Sequence, residues 1–229
     1  MFKKIKNKLE SKRTSNNVFW RTLVWIKDFI FYKLNRKKHS YMVVCNSKRF
    51  MFVRVFKNAS SFLRDLAYRN DQISWEEGEI QKKISFRRSR SQEYKDYIKF
   101  VVYRDPIERF LSLYKNKILG HNKDFEERYK KDNIKNCDLK TFICFAKKEL
   151  KNKMVCDPHL LPQYLLYKRS DVDYIVPINK LNLFIERKLK CNADLRLNRT
   201  DNIFLKISER DFNEIKKIYS EDYKIKPNF

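Results

Sequence analysis

Residues 97–118, YIKFVVYRDPIERFLSLYKNKI, join a β-type run to a helix across a single turn. The run at 97–103 is β-branched and aromatic, the composition of a central strand. Asp105 is a good N-cap, Pro106 suits the first helical position, and Glu108 three residues after the cap completes a capping-box pattern. The helix therefore begins directly after Arg104. Ile107, Phe110, Leu111, Tyr114 and Ile118 then recur at helical spacing and predict the core-facing stripe. Two polar residues, Arg104 and Ser112, are left without a structural role. Arg104 stands at the carboxyl end of the strand, where a guanidinium presents a fork of donors to a phosphate. The alternative is an ion pair with a neighbouring carboxylate.

A second junction lies upstream in residues 50–66, FMFVRVFKNASSFLRDL, again a strand running into a helix. Lys57 and the pair Ser60 and Ser61 sit at the turn, where free amides and the positive helix end point at one spot and suit an anion. The usual device there is rich in glycine, yet the chain has only Gly78 and Gly120. The competing reading is a solvated lysine at a strand end. Around these junctions, YMVVC (41–45) and DYIVPI (173–178) read as strands. Residues 60–69, 106–118, 138–151, 179–190 and 208–219 read as helices, and the polar stretch 70–96 reads as loops. This alternation predicts one α/β domain over residues 41–229, with a mainly parallel central sheet flanked by helices. Ligands of such sheets sit beyond the carboxyl ends of the strands, which singles out Lys57 and Arg104.

The 229 residues suit one domain, and 42% hydrophobic content excludes a disordered chain. The outlier is charge: 53 Lys and Arg against 28 acids leave a net +25, which favours polyanionic partners without choosing among them. Five widely spaced cysteines form no C-x-x-C pair, and three histidines form no H-E-x-x-H, so neither a disulfide framework nor a protein-held metal is expected. Residues 1–40 form a separate basic, aromatic-rich segment with twelve Lys and Arg and two acids. Its apolar part is too charged for a membrane span and lacks a signal-peptide cleavage site. It reads either as a helix packed on the domain or as an amphipathic helix at an anionic membrane, with residues 15–35 in contact.

Taken together, FKNASSF and YRDPIERFLSLY resemble the two motifs of PAPS-dependent sulfotransferases, in particular the carbohydrate sulfotransferase group. Arg104, Asp105, Pro106, Arg109, Ser112 and Tyr114 match the pattern R-D-P-x-x-R-x-x-S-x-Y at every defined position. DPHLLPQYLLY (157–167) resembles the family's H-x-x-P-Q segment. LKTFICFAKKEL, LNRT (197–200) and FNEIKKIYSEDYKI resemble later family segments in the same order. The chain departs from the family at Phe56, Ser60 and Phe62 in the first motif and at Asn179 in INKLN.

The resemblance implies a P-loop-NTPase-like fold and sulfuryl transfer from PAPS to a hydroxyl of a glycan or glycolipid, with no metal. It implies that Lys57 stabilises the departing oxygen. The backbone amides of Asn58, Ala59, Ser60 and Ser61 would wrap the phosphosulfate, with Asn58 tolerating the unusual backbone angles, and Ser61 would add its hydroxyl. Arg104 and Ser112 would grip the 3′-phosphate. His159 is the first choice of general base, with His121 or an acid from 70–96 as alternatives. The expected setting is cytoplasmic, peripheral at an inner membrane, or the Golgi lumen in a eukaryote. The rival classes are a basic nucleic-acid-binding protein, although no recognised module or specific nucleic-acid site is present, and a non-catalytic relative that binds anionic glycans.

Overall fold

The computed structural model describes residues 41–151, 156–192, 205 and 207–229. The N-terminal segment 1–40, with its proposed membrane contact, and the LNRT stretch lie outside the described residues. Five strands form one sheet: β1 (Met42–Cys45), β2 (Phe50–Val53), β3 (Lys83–Ile84), β4 (Ile98–Tyr103) and β5 (Tyr174–Pro177), in the order β3-β1-β2-β4-β5. β2, β4 and β5 run parallel. β1 pairs antiparallel with both β2 and β3, so it alone runs against the others. The expected mainly parallel sheet is present, but its first two strands are a hairpin, closed by the tight turn after Cys45.

The helices are α1 (Ser60–Asn70), α2 (Trp75–Gln81), α3 (Pro106–Tyr114), α4 (Lys123–Arg128), α5 (Leu139–Lys151), α6 (Leu181–Phe184) and α7 (Glu209–Ile218). Alternating strand residues feed two apolar layers. Phe50, Phe52 and Phe100 pack with Leu63, Leu66 and Phe184 of α1 and α6. Met51, Val53, Val101 and Ile175 meet Tyr94, Leu166 and Val172 on the opposite face. Among the described residues that second face is covered by loops and short 3₁₀ turns, and none of α1–α7 contributes to its apolar cluster. A third cluster gathers α3, α5 and α7 around Phe110, Phe142 and Tyr219. Among the described residues no helix is long and apolar enough to cross a membrane.

Three local expectations change. The strand expected at the start of the 50–66 junction ends at Val53, and residues 54–59 form a loop before α1. The stretch 70–96 contains α2, whose start is a reciprocal capping box: Glu77 N donates to Ser74 Oγ at 3.2 Å and Ser74 N to Glu77 Oε2 at 3.3 Å. The S-x-x-E signal was readable in the sequence. Gly78 lets this helix approach α1, since an added Cβ would lie 2.6 Å from the Tyr68 ring. Finally, the helix after Arg104 is straight α only to Tyr114 and continues as a π-turn over Lys115–Leu119. It buries Leu113 more deeply than Leu111, because α5 and α7 contact it from two sides.

Candidate active site

β2 and β4 are parallel neighbours, paired Phe50 to Ile98 through Phe52 to Phe100, so their carboxyl ends open side by side. This brings the two junctions together although they are far apart in sequence. Arg104 Nη1 donates to the Lys57 carbonyl at 3.1 Å. Its Nε lies 3.6 Å from Glu108, too long for a hydrogen bond, so the predicted carboxylate pairing is present but loose. The Arg104 side chain remains 25% exposed, which leaves the guanidinium within reach of a ligand.

The loop departs from expectation in one respect. Lys57 and Ala59 have positive φ (67° and 57°), whereas Asn58, expected to absorb the unusual angles, does not. Asn58 is instead the loop's anchor. It is 2% exposed; its Nδ2 donates to Val102 O at 2.7 Å and to Gln163 Oε1 at 2.5 Å, and its amide donates to Val55 O at 3.3 Å. A buried carboxamide must satisfy its donors within the protein, and this one does so against β4. Its amide is therefore not free for an anion, and Asn58 leaves the set of anion-binding amides. Each left-handed non-glycine residue costs about 1 kcal/mol or more, strain of a kind that gathers at ligand sites. Ala59 caps α1 without any side-chain bond, and the amides of Ala59, Ser60 and Ser61 have no acceptor among the described residues. Those three amides are free donors at the positive end of an eleven-residue helix.

The Lys57 ammonium is half-buried, and its pKa is pulled down to about 8, first by burial and then by Lys117, Arg104 and Arg109. Among the described residues no carboxylate lies within salt-bridge distance of it. Lys117, on the π-turn, donates to Asn122 Oδ1 at 3.3 Å and is also held below the usual lysine range by burial. Sequence reasoning missed it; a π-turn is not visible in helical periodicity. Ser112 is 7% exposed, and no hydrogen bond joins it to Arg104 among the described residues.

His159 stands beside Lys57. Its Nδ1 lies 2.6 Å from Asp157 Oδ1, and its ring centroid is 4.2 Å from that of Phe56. Asp157 is sealed from solvent, accepts from the His159 amide at 2.9 Å and pairs with Arg128 at 3.0 Å. Burial opposes its charge, but these partners hold its carboxyl below the usual range. For His159 burial wins over Asp157, and Lys117 and Lys57 add to it, so the imidazole titrates below 6.5 and is neutral at pH 7. With Nδ1–H facing Asp157, Nε2 is the basic nitrogen. Of the alternative bases, His121 is on an exposed turn against Glu126, and two half-buried acids of 70–96 are ion-paired, Asp71 with Lys82 and Glu79 with Arg64 and Lys83.

Three further residues brace this arrangement. Arg109, 2% exposed, donates through Nε to Phe56 O and through Nη2 to His159 O, both at 3.0 Å, so one guanidinium ties the Lys57 loop to the His159 loop. Tyr219 OH donates to Leu160 O at 2.9 Å, and Asp222 accepts from the Gln163 and Tyr164 amides at 2.9 Å each. The closing helix thus holds the His-to-Gln segment in place. Among the described residues no group of three His, Cys, Asp or Glu side chains could hold a metal ion.

This pair of a protonated lysine and a neutral histidine has a pH signature. Activity measured as kcat/KM is expected to fall on the acid side, below 6.5, as His159 protonates, and on the alkaline side near 8 as Lys57 loses its proton. His159→Asn should lower the rate and remove the acid limb. An acid limb that survives in that variant would assign the base elsewhere.

No curated protein and no solved structure matches the chain. A family model described as Sulfotransferase family matches residues 40–225. That match runs over the whole sheet, both strand-end loops, the Asp157–His159 pair and the bracing closing helix, and the chain accordingly belongs to the sulfotransferase family, of the family 2 type.

Proposed function

We propose that this member of the family transfers a sulfuryl group from PAPS to a hydroxyl of a carbohydrate, on a glycan or glycolipid, by in-line displacement. The observation that carries the reading is the meeting, at the ends of β2 and β4, of a lysine and three helix-end amides that have no partner among the described residues, a partly open arginine and an Asp-held imidazole. The residues fit an anionic nucleotide. Arg104 Nε is buried with no hydrogen-bond partner among the described residues, and the loop of residues 54–59 offers N–H donors and no carboxylate. The strand, anion loop and helix of β2–α1 support a P-loop-like architecture.

PAPS supplies a sulfuryl group on a phosphate leaving group. The protein's part is positioning and charge. The Ala59, Ser60 and Ser61 amides with the Ser61 hydroxyl hold the 5′ end, and the Lys57 ammonium balances negative charge growing on the departing oxygen, as in phosphoryl transfer. Arg104, with Ser112, takes the 3′-phosphate. A sugar hydroxyl is too weak an acid to attack unaided at neutral pH, so His159 Nε2 accepts its proton while Asp157 stabilises the imidazolium. The carbohydrate assignment draws on the likeness of the ordered motifs to the carbohydrate group and on the net +25, which suits an anionic or membrane-linked acceptor.

Calorimetric titration with adenosine 3′,5′-bisphosphate beside 5′-AMP tests the donor site. The bisphosphate should bind more tightly, and Arg104→Ala should remove most of that preference, about 10- to 100-fold for the loss of a charge-assisted contact. Equal binding of both nucleotides, with salt-sensitive binding of a DNA duplex, would replace the reading with a basic nucleic-acid binder.

A further inference from the structure

We infer that Gln163 sets the specificity of the donor site for a 3′-phosphate, by fixing where Arg104 stands relative to the Lys57 loop; the inference rests on the donor reading above. Gln163 is 1% exposed and opens a 3₁₀ turn far from both motifs in sequence. Its Oε1 accepts from Asn58 Nδ2 at 2.5 Å and from the Arg104 amide at 3.2 Å. Its Nε2 donates to the Arg104 carbonyl at 2.9 Å and to Asp222 Oδ2 at 3.4 Å. One side chain therefore grips the Arg104 backbone at both its N–H and its C=O. Only a carboxamide has a donor and an acceptor arm for this; a carboxylate or an apolar chain of the same size lacks at least one.

The bonds close into a ring. Arg104's guanidinium donates to the Lys57 carbonyl, its backbone is held by Gln163, Gln163 is held by Asn58, and Asn58 is the next residue after Lys57. The two cations that would take the two ends of a nucleotide bisphosphate are thus set at one separation. Asp222, fully buried and accepting from the Gln163 and Tyr164 amides, anchors the ring to the closing turn at Ser220–Lys224. An apolar residue would fill the space equally well, so what the amide adds is orientation. Burial of its polar atoms is tolerable because each is satisfied.

Gln163→Met keeps the volume and removes both arms; Asp222→Asn leaves Gln163 in place and weakens its anchor. For each variant, thermal melting reports folding, and titration yields the ratio of 5′-AMP to adenosine 3′,5′-bisphosphate dissociation constants. In Gln163→Met the ratio should fall about tenfold, the size of one misaligned charge-assisted contact, with 5′-AMP affinity nearly unchanged. Asp222→Asn should move it in the same direction by less. A ratio that stays at the wild-type value in folded Gln163→Met, or affinities for both nucleotides that drop together, would reduce Gln163 to a packing residue and overturn the inference. Should Gln163→Met not fold, an unchanged ratio in Asp222→Asn would have the same consequence. Wild-type protein indifferent to the 3′-phosphate would overturn the donor reading itself and this inference with it, whereas preference lost in Arg104→Ala but kept in Gln163→Met would sink only the inference.

Discussion

Lys57→Ala is expected to lower turnover by at least about 10²–10³-fold, the range for removing one group aimed at charge that grows in the transition state. The expectation rests on three observations. The ammonium is half-buried, which with the neighbouring cations Lys117, Arg104 and Arg109 pulls its pKa down to about 8, and it has no carboxylate within salt-bridge distance among the described residues. A lysine held in that state has given up solvation without gaining an anion among the described residues, which is why the proposed role pairs it with a ligand charge. The substitution should leave the scaffold nearly unchanged. Arg104 holds the Lys57 carbonyl, not its side chain, and alanine meets the same left-handed backbone at φ 67°. Binding of adenosine 3′,5′-bisphosphate should therefore weaken far less than turnover, which separates this variant from a misfolded one. The measurement is single-turnover sulfuryl transfer beside calorimetry and a thermal melt; transfer retained within tenfold of wild type would end the assignment of Lys57 as the key cation.

The largest loss of stability is expected from Arg109→Met. Its guanidinium is buried, and its Nε and Nη2 satisfy the carbonyls of Phe56 and His159. Losing it leaves two part-buried acceptors without protein partners, up to about 1–3 kcal/mol each. Against that, methionine avoids the desolvation cost of a buried charge, which partly offsets the loss. A net destabilisation of about 2–4 kcal/mol is expected, seen as a melting temperature lower by roughly 5–15 °C for a domain of this size. Turnover should fall as well even at temperatures where the variant is folded, since the same two bonds hold the Lys57 loop against the His159 loop. An unchanged melting temperature would mean that the two carbonyls find other donors.

The parts of this protein legible in its residues are those governed by local rules. The β-type run ending at Tyr103, the cap at Asp105 and the proline after it located the start of α3, and Asp105 does accept from the amides of Ile107 and Glu108 at 2.9 and 3.1 Å. Lys57 and Arg104 could be named because their residue types and their places at strand ends restrict what they can do, and His159 because histidine is the side chain suited to proton transfer near neutral pH. The α2 helix was legible too, through Ser74 and Glu77, but the polar composition around it outweighed the cap. Asn58 was misread for a different reason. As an isolated residue it tolerates left-handed angles, yet burial against β4 obliged its amide to bond Val102 and Gln163, and the strained angles fell on its neighbours.

The sequence by itself thus determined the α/β class, the two strand-end junctions and the type of ligand charge they suit, because periodicity, caps and turn residues act over a few positions. Only the tertiary structure decided the hairpin of β1 and β2, the joining of Lys57 to Arg104, the Asp157–His159 pair beside them, and the roles of Arg109, Gln163 and Asp222. The physical reason is the distance along the chain over which these contacts form: Asn58 meets Gln163 across 105 residues, and Gln163 meets Asp222 across 59. No local preference encodes such meetings. They follow from burial, which leaves each polar atom no partner except the one the packed chain brings to it.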